Sequence, residues 1–109
     1  MTQRNFLLTY SVKPVTDHSS DEDKADKVRK KIARITEWMK TSDVETTFLG
    51  KVEITKISEN YKIDQAREEI ERVFIPILET YNAGPLDVQI HCAMMVENID
   101  QPFEFVVHQ

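Results

Sequence analysis

Residues 86–97 (LDVQIHCAMMVE) constrain the fold more than any other stretch of the chain. Leu86, Val88, Ile90, Cys92, Met94 and Val96 alternate with Asp87, Gln89, His91, Ala93, Met95 and Glu97. Successive side chains of a strand point to opposite faces, so this pattern specifies a β-strand with one buried face. Asn82, Ala83, Gly84 and Pro85 form a breaker just ahead of it.

Residues 5–13 repeat the pattern. Phe6, Leu8, Tyr10 and Val12 share one face, while Asn5, Leu7, Thr9, Ser11 and Lys13 share the other. Pro14 closes this strand because it cannot donate to a ladder. A polar loop over 15–20 follows. The first helix then follows, with Ser20 or Asp21 as its N-cap and Asp21, Glu22 and Asp23 at its positive end. Ala25, Val28, Ile32, Ile35 and Met39 recur at steps of three and four and predict one buried stripe. Asp23 with Lys27, and Asp26 with Lys30, are expected i,i+4 pairs. Trp38 is expected to close one end of the core.

Residues 43–57 admit two readings. Val44, Thr46, Phe48, Gly50, Val52 and Ile54 share one phase, which allows a single long strand bent at Gly50. The favoured reading is a hairpin with the loop Phe48-Leu49-Gly50 and a left-handed Gly50, setting Val44 opposite Ile54 and Thr46 opposite Val52. A second helix is expected over 63–81, capped by Asp64. Its buried stripe is Ala66, Ile70, Val73, Phe74, Ile77 and Tyr81, and Glu68 and Arg72 form a surface pair. Pro76 predicts a kink or break, and Asn82 and Gly84 a stop. After a turn over 98–102, Phe103, Phe105 and Val107 alternate with Glu104, Val106 and His108 as a short last strand. The order predicts an α+β fold: a ferredoxin-like βαββαβ sandwich with a short additional C-terminal strand. Both helices would cover one face of an antiparallel sheet, and the first strand would be central. The whole chain, 1–109, reads as a single domain.

The net charge of −5 opposes tight, sequence-independent binding of nucleic acid, which relies on neutralising phosphates. No apolar run is long enough for a membrane span, and the apolar stretch among the first residues is too short for a secretory leader, with no small-residue cleavage site over Tyr10 to Lys13. With Cys92 as the only cysteine, no intrachain disulfide is possible, and a cytoplasmic protein is expected.

Few residues carry a chemical signal. His18, His91 and His108 lack metal-ligand spacing, and no cofactor is implied. Cys92 falls on the buried phase and reads as an inert small hydrophobe. The carboxylates of residues 21–23 read as helix capping, and those of Glu68, Glu69 and Glu71 as a solvated face. Lys27, Lys30, Lys31 and Arg34 are the candidate nucleic-acid contact, weighed against a plain solvated helix face. The outward strand positions Leu7, Thr9, Ala93, Met95 and Val106 are more informative. None is aromatic, so a base-stacking platform is not indicated. Leu7, Ala93, Met95 and Val106 would instead form an apolar patch, the usual mark of a partner surface. The short last strand is a second candidate for pairing outside its own sheet.

The first strand, LLTYSV, together with the helix sequence DKVRKKIARI, resembles the opening of the small CRISPR-associated ferredoxin-fold endoribonucleases. Those openings read as an apolar strand ending T-Y-D-I, a charged loop and a K-V-R-K helix. Endoribonuclease antitoxins share the fold. The resemblance implies a dimer paired through a last strand, for which residues 103–107 would be the counterpart. It also places the family's metal-binding aspartate at Ser11, a weak magnesium ligand, so metal-dependent cleavage is not expected. Two readings follow. One is a non-enzymatic interaction or regulatory module acting as a homodimer through its sheet. The other is an endoribonuclease-like nucleic-acid-processing protein.

Overall fold

A computed structural model describes every residue except Met1, Val44 and Glu45. The elements are β1 (Gln3–Pro14), α1 (Ser19–Ile32), β2 (Met39–Lys40), β3 (Thr47–Glu53), α2 (Glu59–Thr80), β4 (Val88–Val96) and β5 (Phe103–Val107). The five strands form one antiparallel sheet in the order β2-β3-β1-β4-β5. The chain is α+β, and β1 lies centrally, between β3 and β4.

The alternation of β1 and β4 survives folding residue by residue. Phe6, Leu8, Tyr10 and Val12 are buried, as are Val88, Ile90, Cys92, Met94 and Val96. β1 pairs with β4 from Phe6–Val96 to Pro14–Val88, which brings the two apolar phases onto one face. Ala25, Val28 and Ile32 of α1, with Ala66, Ile70, Val73, Phe74, Ile77 and Leu78 of α2, join them in one core. Tyr10, Trp38, Phe48 and Phe74 meet in stacked and edge-to-face contacts, their ring centroids 5.6–5.8 Å apart. Trp38 closes the core as expected, and its indole Nε1–H donates to the Glu69 carboxylate at 3.3 Å.

The favoured hairpin over 43–57 is overturned. Phe48, Leu49 and Gly50 lie inside β3, and the pairing of Val44 with Ile54 falls outside the described residues. Thr46 and Val52 belong to no common hairpin, since β3 pairs with β2 on one side and β1 on the other. Gly50 has no positive φ. Its role is close approach: a Cβ there would lie 2.6 Å from the Phe6 ring and 2.8 Å from the Trp38 indole. A glycine in a strand interior commonly marks such a contact rather than a turn.

Other boundaries also moved. α1 ends at Ile32, so Met39 leaves the predicted helical stripe and stands on β2, 69% exposed. His18 occupies the α1 cap position in place of Ser20 or Asp21, without a side-chain cap bond. Asp21 is buried instead and accepts from the Thr16 hydroxyl. α2 starts a turn earlier than expected, capped by the Ser58 hydroxyl rather than Asp64, because Ser58 Oγ accepts from the Tyr61 N–H at 3.4 Å. The helix runs unbroken through Pro76. Its stop uses a left-handed Asn82 with φ 54°, after which the Ala83 N–H donates to the Leu78 carbonyl at 2.9 Å. Leu86 lies outside β4 and is 79% exposed. Asp26 pairs with Arg29 and Glu69 with Arg72, three residues apart, in place of the expected Asp26–Lys30 and Glu68–Arg72 pairs.

Candidate functional site: the open face of the sheet

The face of the sheet turned away from the core is organised by cross-strand register. Leu7 on β1 is opposite Leu49 on β3 and opposite Met95 on β4. Leu49 is in turn opposite Met39 on β2. Four consecutive strands therefore carry one apolar row, Met39–Leu49–Leu7–Met95. Its members are 69%, 40%, 37% and 56% exposed, a level unusual for large apolar side chains set side by side. The row opens into a groove of about 450 Å³ whose lining includes Leu7, Leu49, Met95, Ile99 and Pro102.

The next row toward the N-terminus of β1 is polar. Asn5 is opposite Lys51 on β3. On the other side Glu97 continues the β4 register: its N–H donates to the Asn5 carbonyl at 2.9 Å, and its Oε1 accepts from the Asn5 N–H at 2.7 Å. Lys51 and Glu97 are both exposed. Each thus stands one strand away from Asn5, on opposite sides.

In the other direction, Thr9 is opposite Ala93, which is opposite Glu104 on β5. Ser11 is opposite His91, which is opposite Val106. Of the five outward positions expected to form an interface, Leu7 and Met95 meet in one row. Thr9 is exposed and Ala93 half-buried in the next. Val106 is half-buried and lies a further row away, separated from Met95 by the Ala93–Glu104 pair, so it is not part of the apolar row. Sequence reasoning missed Leu49 and Met39. The first was assigned to a turn and the second to a helix, and no local signal corrects either assignment without knowledge of the strand pairing. β5 pairs with β4 of its own sheet and leaves its other edge unpaired among the described residues.

The basic positions do not form one patch. Lys27, Lys30, Lys31 and Arg34 are all exposed. Lys30 joins Arg29 and Lys40 at a cleft of about 300 Å³ that also borders Tyr10 and Ser11. Lys31 and Arg34 line a different cleft of about 330 Å³, with Arg72, between α1 and α2. Lys27 lines neither. Arg29 is held by Asp26 and by the Val12 carbonyl, to which it donates at 2.9 Å.

Cys92 is 4% exposed, and burial, helped by the charge of Glu71, pushes its thiol up to about 12. A thiol so raised is not a nucleophile near neutral pH. Tyr10 is likewise raised by burial. Asp87 is held below the usual carboxylate range by the Lys24 ammonium at 3.1 Å and by the Gly84 N–H. Among the described residues no three His, Cys, Asp or Glu side chains converge as metal ligands, and no helix is long and apolar enough to cross a membrane. No protein-family model matches the chain, and neither does any curated protein or solved structure.

Proposed function

We propose that the protein is a small non-enzymatic interaction module of ferredoxin-like fold that acts as a homodimer through the open face of its sheet. The ferredoxin-like reading is supported by the order β4-β1-β3-β2 within the sheet, with β5 added beyond β4. The function rests on one observation, the row Met39–Leu49–Leu7–Met95. An unfunctional open face of an antiparallel sheet alternates to polar residues, whereas here four strands in succession present large apolar side chains to water. Covering that row removes apolar surface from water, the main driving force of association.

Light scattering over a concentration series tests the reading. The expected result is a dimer that Met95→Lys dissociates, because association would then bury an unpaired ammonium. A wild-type chain that stays monomeric at high micromolar concentration would refute it.

A nucleic-acid-processing reading, the one the endoribonuclease resemblance implies, draws on a single feature: Arg29, Lys30 and Lys40 at the cleft beside Ser11. It requires EDTA-sensitive cleavage of RNA or DNA in magnesium or manganese. The uncharged Ser11 at the strand position disfavours it.

A further inference from the structure

The open face has a symmetry of its own about β1. Leu49 and Met95 flank Leu7 in register, and Lys51 and Glu97 flank Asn5 in the next row. On one side of β1 the pattern reads apolar then cation; on the other it reads apolar then anion. Beyond Leu49 stands the most exposed member of the row, Met39. The groove over Leu7, Leu49 and Met95 extends past Met95 to Ile99 and Pro102. The projecting Met39 on one flank thus corresponds to the Pro102 wall of that groove on the other, and a positive charge to a negative one.

We propose that the homodimer, whose existence rests on the reading above, is built on a two-fold axis running along β1. In a two-fold interface each contact occurs twice, with the roles of the two copies exchanged. An axis along β1 sets Leu7 on the partner's Leu7 and Leu49 on the partner's Met95. It carries Lys51 to the partner's Glu97, and Met39 to the partner's groove beside Pro102. Packed sheets stand about 10 Å apart, a gap that Lys51 can close by reaching across to the Glu97 carboxylate, one oxygen of which stays on the Asn5 N–H. Aligned sheet packing keeps the two strand directions within about 30° of each other, as this axis requires. The competing two-fold, across the strands through the apolar row, would set each apolar residue on its own copy. It would bring Lys51 to Thr47 and Glu97 to Ala93, and leave both charges unmatched.

Charge reversal distinguishes the two. Lys51→Glu alone and Glu97→Lys alone should each weaken the dimer by roughly tenfold or more, since each places two like-charged pairs in the interface. An equimolar mixture of the two variants should recover wild-type association, because both reciprocal pairs are restored in the heterodimer. The double variant K51E/E97K should recover it within one chain. Sedimentation velocity supplies the readout, and circular dichroism confirms that each variant is folded. Should Glu97→Lys fail to fold for want of the Asn5 N–H acceptor, Glu97→Gln keeps that acceptor and should partly relieve the Lys51→Glu repulsion. A wild-type dimer that Met95→Lys breaks, but that tolerates both reversals or is not rescued by mixing, overturns the axis and leaves the homodimer reading intact. A monomeric wild type overturns both.

Discussion

On the helix side of β1, Phe6, Leu8, Tyr10 and Val12 are sealed under α1, α2 and the aromatic cluster around Trp38. On the other side Leu7 stands between Leu49 and Met95 with its side chain partly in water. The contrast is sharpest at two neighbours on β3. Gly50 faces inward, where two rings leave no room for even a methyl group, while Leu49 faces outward with room to spare. One face is therefore committed to intramolecular packing at close-packed density, and the other holds apolar surface in reserve. Substitutions on the inner face should cost stability, and those on the outer face association.

The largest effect should come from Phe48→Ala. Phe48 is fully buried among Tyr10 and Trp38, and the loss should be about 3–5 kcal/mol by urea unfolding. Gly50→Ala comes next, at about 1–3 kcal/mol, because the new Cβ forces Phe6 and Trp38 out of place. A neutral Gly50→Ala would mean that the rings can yield and that the inner face is less tightly set than its geometry implies. One position away, Leu49→Lys should alter the unfolding free energy of the monomer, measured at a concentration where the wild-type dimer is dissociated, by no more than about 0.5 kcal/mol. Light scattering should show the same substitution abolishing the dimer. If Leu49→Lys unfolds the chain, the two faces are not separable in this way.

Chemical probes sharpen the same contrast. The Cys92 thiol should resist maleimide in the folded protein at neutral pH and react at once in denaturant, given its burial and its value near 12. Fast labelling of the native chain would place the β4 phase wrongly. The smallest effect concerns the end of the sheet near Gly84. The folded Asp87 carboxyl is lowered, so its contribution to stability is present above its unfolded value and is lost as pH falls through the folded one. Lys24→Met should lower stability slightly at neutral pH and flatten that part of the acid unfolding curve, so that the variant and the wild type converge below about pH 4.

Much of this arrangement was legible in the residue order. β1 and β4 were, because alternation is a local signal and each strand has one committed face. The α2 stripe was legible for the same reason at helical spacing. β2 and β3 were not. Met39 follows Ile35 by four residues, so it continued a helical pattern that the chain abandons at Ile32. Gly50 carried a turn signal, but it is a glycine because of Phe6 and Trp38, residues brought to it only by tertiary pairing. The candidate surface inherited those two errors. Leu7 and Met95 were found on correctly read strands, whereas Leu49 and Met39 emerged only once β3 and β2 were in register.

Trp38 is the only tryptophan in the chain, and it is 6% exposed against Phe6, Phe48 and Phe74. The molecule therefore carries its own fluorophore, placed on the committed side of the sheet. Its emission should shift to longer wavelength when the core opens to solvent, and it should stay constant through a dilution series that separates two copies. In a dilution series scattered light thus follows assembly while the emission stays fixed, in a denaturant series the emission follows unfolding, and an unlabelled sample gives both curves.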